Sequence, residues 1–155
     1  MRRGSLAFSS ALAGVLCAAC GVGPTKELGL SDRRATTILV LTDFLRRNDP
    51  GNWPIVFVSD EYVGFAIDST FLSALPPSRT PFRVAWRSEA WVSTDIVRDG
   101  GLFLEPSTIE MQAGGAVLQS LRFSSSSDFG GELLYVLDGM FGRWWIEEVR
   151  VIWIV

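Results

Sequence analysis

VLQSLRFSSSSDFGGELLYVLDGMFGRWWIEEVRVIWIV, residues 117–155, is the stretch that decides the fold of this chain. Apolar and polar side chains alternate in it with the period of two that turns successive residues to opposite faces of a β-strand. A serine- and glycine-rich loop at residues 124–131 and a glycine-containing turn at residues 138–142 divide it into three runs. Connections this short join antiparallel strands, so the C-terminal part of the chain predicts a β-meander.

The last run, residues 143–155, is the richest of the three in apolar residues. Unbroken alternation would place Trp145, Val149 and Trp153 on one face, and Trp144 and Ile146 on the other. Both faces become apolar toward the end of the run, which is typical of a strand that is covered on both sides.

Upstream of the meander, residues 31–47 predict a helix. Ser31 is a suitable N-cap, Ile38 and Leu45 fall on one face, and Pro50 follows closely enough to end the helix. The run also contains several β-branched residues, which favour a strand as the alternative.

Shorter elements lie between this helix and the meander. Residues 53–59 predict a short buried strand, residues 70–75 a short helix capped by Asp68 or Ser69, and residues 82–87 and 102–105 further strands. The predicted fold class is therefore α+β, with one or two N-terminal helices packed on a curved antiparallel sheet that ends in the meander.

This order of elements, with the Gly142–Arg143–Trp144–Trp145 motif at the start of the last strand, resembles the nuclear transport factor family. The resemblance implies a cone-shaped α+β domain with a pocket between helix and sheet. The chain departs from the family in having less predicted helix before the sheet. A plain α+β sheet domain outside that family is the alternative.

The first twenty residues have the layout of an export signal. Arg2 and Arg3 are followed by an uncharged apolar run at residues 6–16 and then by Cys17-Ala18-Ala19-Cys20. The apolar run is too short to cross a bilayer, which needs about 20 residues. We therefore predict residues 1–19 as a signal peptide, 20–30 as a lipid attachment point and tether, and 31–155 as a single α+β domain.

The segment that ends at Cys20 resembles the lipobox of bacterial lipoproteins, in which a cysteine after small residues receives a diacylglyceryl group. Cys17 stands where that motif usually has Leu, Val or Ile, so cleavage after Ala19 without acylation is the alternative. The resemblance implies a protein anchored by lipid in the bacterial cell envelope. Because Gly21 replaces the aspartate of inner-membrane retention, it also implies delivery to the outer membrane where one exists. The alternative cleavage predicts a soluble periplasmic or secreted protein.

Composition excludes several kinds of chemistry. The chain has no histidine, and its only cysteines lie in the predicted signal region, which excludes catalytic triads and metal sites built on imidazole or thiolate. The glycine pairs lack the companion residues of a phosphate-binding loop. The formal net charge of −3 is not that of a nucleic-acid-binding domain. We expect no cofactor, no metal and no nucleic-acid partner.

Acid–base chemistry would therefore depend on carboxyl and phenol groups. Asp60, Glu61 and Tyr62 cluster directly after a predicted strand and are the catalytic candidates, with a solvated acidic turn as the alternative. Trp144, Trp145 and Trp86 are the ligand-binding candidates, and packing in the core is the alternative for all of the tryptophans.

Three functions are compatible with these patterns. We favour a non-enzymatic envelope lipoprotein whose helix–sheet cleft binds a small apolar ligand or a protein partner. A carboxylate-dependent isomerase or hydratase using Asp60 or Glu61 is the first alternative, and it predicts a buried carboxyl with a raised pKa that faces a cavity. A structural assembly protein of the envelope, which docks through its last strand, is the second.

Overall fold

The computed structural model of the chain describes residues 28–93, 96–125 and 129–155. The predicted signal peptide, the lipid attachment at Cys20 and most of the predicted tether lie outside the described residues. The helices are α1 Leu30–Arg47, α2 Ser69–Ser73 and α3 Arg87–Ala90. The strands are β1 Val56–Val58, β2 Phe82–Val84, β3 Trp91–Ser93, β4 Ile96–Val97, β5 Leu102–Pro106, β6 Glu110–Met111, β7 Val117–Ser125, β8 Gly130–Met140 and β9 Arg143–Ile154.

Helix α1 forms where the sequence predicts it, although its N-cap is Gly29 and Ser31 lies inside the first turn. The β-branched Thr36 is tolerated because its hydroxyl donates to the carbonyl of Asp32 at 3.0 Å, one turn back. Asn48 ends the helix, since both its backbone N–H and its side-chain amide donate to the carbonyl of Phe44. The shorter helix α2 is capped as predicted by Asp68, which accepts from the N–H of Phe71 at 2.8 Å.

The α+β class with a curved sheet is confirmed. Within the described residues the main sheet has seven strands in the order β2-β1-β5-β7-β8-β9, with β6 also paired to β7. The meander β7-β8-β9 is antiparallel as predicted. The sheet as a whole is mixed, because β1 pairs in parallel with both β2 and β5. Strands β3 and β4 form a separate two-stranded sheet.

Two register shifts in β9 break the alternation that the sequence predicts for the last strand. One lies opposite Val136 and Leu137, and the other lies opposite Glu132 and Leu133. Because each shift adds a residue to β9, it reverses the facing of the residues that follow. Val149 therefore packs on the core together with Trp144 and Ile146, and the prediction that Val149 and Trp145 share a face is wrong.

The main core fills the space between α1 and the sheet. Phe44 of α1 lies against Phe123 of β7 with ring centroids 4.9 Å apart, and both residues are buried. Two buried polar groups join the same elements, since the Gln119 amide donates to the hydroxyl of Thr37 at 3.0 Å. The helix–sheet interface is thus close-packed around these side chains.

A smaller apolar cluster covers part of the other face of the sheet. It contains Phe57 and Phe103 from β1 and β5, and Ala90 and Val97 from the segment that forms α3, β3 and β4. This cluster covers the sheet near β1 and β5. No helix among the described residues is long and apolar enough to cross a membrane.

Candidate functional site

Four polar or aromatic side chains form a row across the face of the sheet that α1 leaves open. The strand registers place Glu105 of β5 opposite Arg122 of β7, Arg122 opposite Glu132 of β8, and Glu132 opposite Trp153 of β9. Directly opposed residues of neighbouring strands point to the same side of a sheet, so the four side chains are neighbours. The register neighbours on the other side, such as Leu104 and Phe123, face the core.

The hydrogen bonds in this row all converge on Glu132. Its Oε2 atom accepts from Arg122 Nε at 3.2 Å and from Trp153 Nε1 at 3.4 Å. Among the described residues, Arg122 is therefore hydrogen-bonded to Glu132 and not to Glu105. The closest basic group in an ion pair with Glu105 is Arg87, whose Nη1 lies 3.9 Å from Glu105 Oε2.

Glu105 is the unusual member of the row, because only 4% of its surface is exposed. Its Oε1 atom is closed to solvent and has no hydrogen-bond partner among the described residues. A buried carboxyl oxygen that loses its water and gains no donor costs free energy, about 1–3 kcal/mol or more for a charged group. An unpaired buried acceptor of this kind is rare in proteins, and bound water, an ion, strain or a functional role can account for it.

Burial and charge shift the pKa values of the two carboxyls in opposite directions. Burial raises the pKa of Glu105 above its ordinary value, and the nearby guanidiniums of Arg87 and Arg122 only partly offset this effect. For Glu132, burial acts in the same sense, but hydrogen bonds from Ser120 and Arg122 and the charge of Arg122 outweigh it and lower the pKa. A protonatable carboxyl and an ionised one thus flank a single arginine.

Two cavities adjoin this row and share Glu105 and Arg122 in their walls. One has a volume of about 280 Å³, and its other lining residues are Tyr62, Ser107, Thr108, Glu110, Ser120 and Glu132. The second has a volume of about 200 Å³, and its other lining residues are Arg87, Trp91, Phe103, Phe123, Ser124, Gly131 and Trp153. The first is polar, and the second is bounded by aromatic rings.

Trp91, which lines the second cavity, carries a second unpaired polar atom. Its indole Nε1 is buried and has no acceptor among the described residues. The ring is fixed on one side by an edge contact with Phe103, at 6.2 Å between centroids, and on another by the guanidinium of Arg87, 4.9 Å from the ring centroid. The second cavity is therefore lined by a residue with an unused donor, Trp91, and a residue with an unused acceptor, Glu105. We call these residues and their neighbours Arg122, Glu132 and Trp153 the carboxylate site.

The structure brings one of the three predicted catalytic residues to the carboxylate site. Tyr62 lines the polar cavity together with Glu105. The negative charge of Glu61 and a hydrogen bond to it raise the pKa of the Tyr62 phenol. Glu61 is exposed and lines an open groove beside Tyr62 and Trp91.

Asp60 accepts hydrogen bonds within the fold instead. Its two carboxylate oxygens accept from the indole Nε1 of Trp86 at 3.0 Å and from the backbone N–H of Ile67 at 3.3 Å. Asp60, a predicted catalytic residue, and Trp86, a predicted ligand-binding residue, thus form one hydrogen-bonded pair.

The other ligand-binding candidates, Trp144 and Trp145, lie at the opposite end of β9 from Trp153. Trp144 is partly buried against α1, and its Nε1 donates to Asp32 Oδ1 at 3.0 Å. Trp145 is 41% exposed, and its Nε1 donates to Glu147 Oε2 at 3.3 Å. An open groove of about 460 Å³ runs beside Trp144 along Ala35, Leu39 and Arg46.

Sequence reasoning misses Glu105 and Arg122, because neither stands in a recognisable motif. The available signal was the position of Glu105, a carboxyl directly after the apolar residues 102–104 of a buried strand. The described residues contain no cluster of three or more potential metal-ligating side chains. The carboxylate site offers hydrogen bonds and charge.

Comparison with known proteins assigns no family. No protein-family model matches the chain, and searches of curated proteins and of solved structures find no significant match.

Proposed function

We propose that this protein is a cell-envelope lipoprotein that binds a small ligand at the carboxylate site. The observation that carries the proposal is Glu105, a buried residue that lines two cavities and whose Oε1 atom has no partner among the described residues. The export signal and Cys20 support the location. The close-packed core between α1 and the sheet is the reason to assign the ligand to the other face.

The residues of the site define the chemistry of the ligand. Glu105 needs a hydrogen-bond donor, such as a hydroxyl or an amine, and Trp91 needs an acceptor. The rings of Trp91 and Trp153 offer apolar surface beside these groups. Ligand pockets usually measure about 300–1,000 Å³, so the two adjoining cavities of about 280 and 200 Å³, which share Glu105 and Arg122, suit a compact molecule. We infer a small hydroxylated or amine-bearing molecule with an apolar face.

A thermal-shift screen tests this proposal. The probes are glucose, glucosamine, putrescine and benzylamine, which separate hydroxyl from amine donors and polar from apolar frames. A probe that binds the folded protein raises its Tm, because binding to the native state alone stabilises it. We expect at least one probe to raise the Tm of the wild-type protein and to leave that of Glu105→Leu unchanged.

Glu147→Gln is the matched control, since Glu147 is exposed and lies outside the carboxylate site. It should respond to the probes as the wild type does. Native mass spectrometry of protein purified from envelopes gives an independent measurement. The proposal fails when no probe shifts the Tm and no small molecule accompanies the purified protein.

The raised pKa of Glu105 favours one second candidate function, general acid–base catalysis in the same cavity. A raised pKa makes it easier for a carboxyl to hold a proton and donate it, and Tyr62 lines the same cavity with a phenol. NMR of the bound probe distinguishes binding from catalysis, because it shows whether the probe is converted to a product. Turnover that Glu105→Gln abolishes identifies an enzyme, and an unchanged bound probe identifies a binding protein.

A further inference from the structure

The turn between β8 and β9 carries an aromatic residue at a position that disfavours it. Met140 pairs with Arg143, so Phe141 and Gly142 are the two central residues of the turn. Both have positive φ angles, 54° and 76°, as a type I′ turn requires. Glycine, asparagine and aspartate adopt this conformation readily, whereas a bulky side chain adopts it at a cost in free energy.

Packing does not offset this cost in free energy, because 98% of the surface of Phe141 is exposed. Met140 beside it is 60% exposed, and Arg143 and Trp145 follow on the same hairpin, also exposed. Strained residues and clustered exposed apolar side chains both mark functional surfaces. We call Met140, Phe141, Arg143 and Trp145 the hairpin tip.

The hairpin tip lies at the end of the domain where the chain arrives from Cys20. Trp144, three residues after Phe141, donates to Asp32 in the first turn of α1. Leu28 is fixed at the same end, since it packs on the core and its carbonyl accepts from Arg33 at 2.9 Å. Leu30 between them is exposed and apolar.

The length of the tether limits how far this end can lie from a membrane. Seven residues lie between Cys20 and Leu28, and the eight Cα–Cα steps that join these two residues span at most about 28 Å when extended. An acyl group on Cys20 would therefore hold the start of α1, and with it the hairpin tip, close to the bilayer surface.

We propose that the hairpin tip inserts into the lipid surface to which Cys20 is anchored. This inference rests on the lipoprotein part of the proposed function. A projecting phenylalanine buries its ring when acyl chains close around it, and a nearby tryptophan suits the boundary between acyl chains and headgroups. Arg143 supplies the positive charge that attracts anionic headgroups. The domain would then sit on the membrane in one fixed orientation.

A depth measurement on the acylated full-length protein tests the insertion. The protein is placed in vesicles of phosphatidylethanolamine and phosphatidylglycerol that contain spin-labelled lipid, with an environment-sensitive dye on Met140→Cys. The control dye is on Asn52→Cys, an exposed position at the other end of the domain, where the neighbouring Trp53 packs on Phe129 just before β8. We expect quenching and a blue shift at position 140 and neither at position 52.

The double variant Met140→Cys/Phe141→Asn removes the aromatic ring and should still fold. Asparagine suits the turn, so we expect this variant to melt at a higher temperature while its quenching falls to the level of the control. Equal signals at positions 140 and 52 on acylated protein overturn the insertion alone. A dye response to protein concentration without lipid would also overturn it, in favour of a second copy. An intact mass without the acyl group overturns the insertion together with the lipoprotein assignment, but leaves the ligand test at Glu105 standing.

Discussion

The indole of Trp144 and the carboxylate of Asp32 are joined by a hydrogen bond of 3.0 Å between residues 112 positions apart in the sequence. This bond ties the first turn of α1 to the beginning of the last strand. The first helix and the beginning of the last strand are therefore joined by this contact, although the sequence gives no pairing signal for either residue.

Trp144→Phe should destabilise the domain by about 1 kcal/mol, because it removes one hydrogen bond while keeping most of the packed ring. Urea unfolding followed by circular dichroism measures the change. Trp145→Phe is the matched control, since Trp145 is exposed and its change should stay within about 0.5 kcal/mol. Equal losses in the two variants would show that the bond to Asp32 contributes nothing specific.

Glu105 should make the stability of the domain depend on pH. Its folded-state pKa lies above the ordinary value of 4.5, so protonated Glu105 favours the folded state and this contribution is lost as the pH rises through the folded pKa. Glu105→Gln cannot lose a proton. Its free energy of unfolding relative to wild type should rise from about pH 4.5 upward, by at most about 1.4 kcal/mol per pH unit, and level off above the folded pKa.

Urea unfolding at a series of pH values measures this difference. Glu105→Leu is also uncharged at every pH, and it should reproduce the shape of the curve with a constant offset. A flat difference between wild type and both variants would contradict the shifted pKa.

Thr37 and Gln119 should be energetically coupled across the helix–sheet interface. The Gln119 amide donates to Thr37 Oγ1 at 3.0 Å and to the carbonyl of Ser107 at 3.1 Å, and both Thr37 and Gln119 are buried. Either Thr37→Val or Gln119→Leu leaves a buried polar group unpaired. The double variant should lose less than the sum of the single losses, with a coupling of about 1 kcal/mol. Additive losses in denaturant unfolding would show that the two side chains act independently.

Phe44→Ala tests whether the helix–sheet interface is a packed core. Phe44 is 1% exposed and contacts Phe123, so its truncation should leave a cavity and cost about 3–5 kcal/mol. Ile38→Ala is the comparison on the same helix, because Ile38 is only partly buried and should cost less. A loss below about 1 kcal/mol for Phe44→Ala would instead indicate a loose, cleft-like interface.

The parts of the fold that the sequence predicts are those governed by local patterns. Helix α1 follows from spaced apolar residues and from Pro50 shortly after its end, and the meander follows from alternation between short turns. The parallel pairing of β1 has no local signature, because its partners are chosen by packing of distant segments. The facing of Val149 could not be predicted either, since the register shift in β9 depends on the neighbouring strand.

The carboxylate site escapes prediction for the same reason. Glu105, Arg122 and Glu132 are neighbours only because three strands pair in one register. In the sequence they are single charged residues in predicted strands, and Glu105 differs from a solvated glutamate only in following the apolar residues 102–104. By contrast, Asp60, Glu61 and Tyr62 form a visible cluster in the sequence, yet only Tyr62 lines the polar cavity with Glu105.

The position of β1 between two parallel neighbours sets the order in which the domain can assemble. The hairpins of β7, β8 and β9 close over short loops. Strand β1, by contrast, pairs with β2 and β5, which lie farther along the chain, so its pairing must close longer loops. In pulse-labelling hydrogen exchange during refolding, amides of β8 should gain protection before those of β1. The face that carries Glu105 would then be completed last, so the carboxylate site would form only when the slowest segment of the polypeptide has docked.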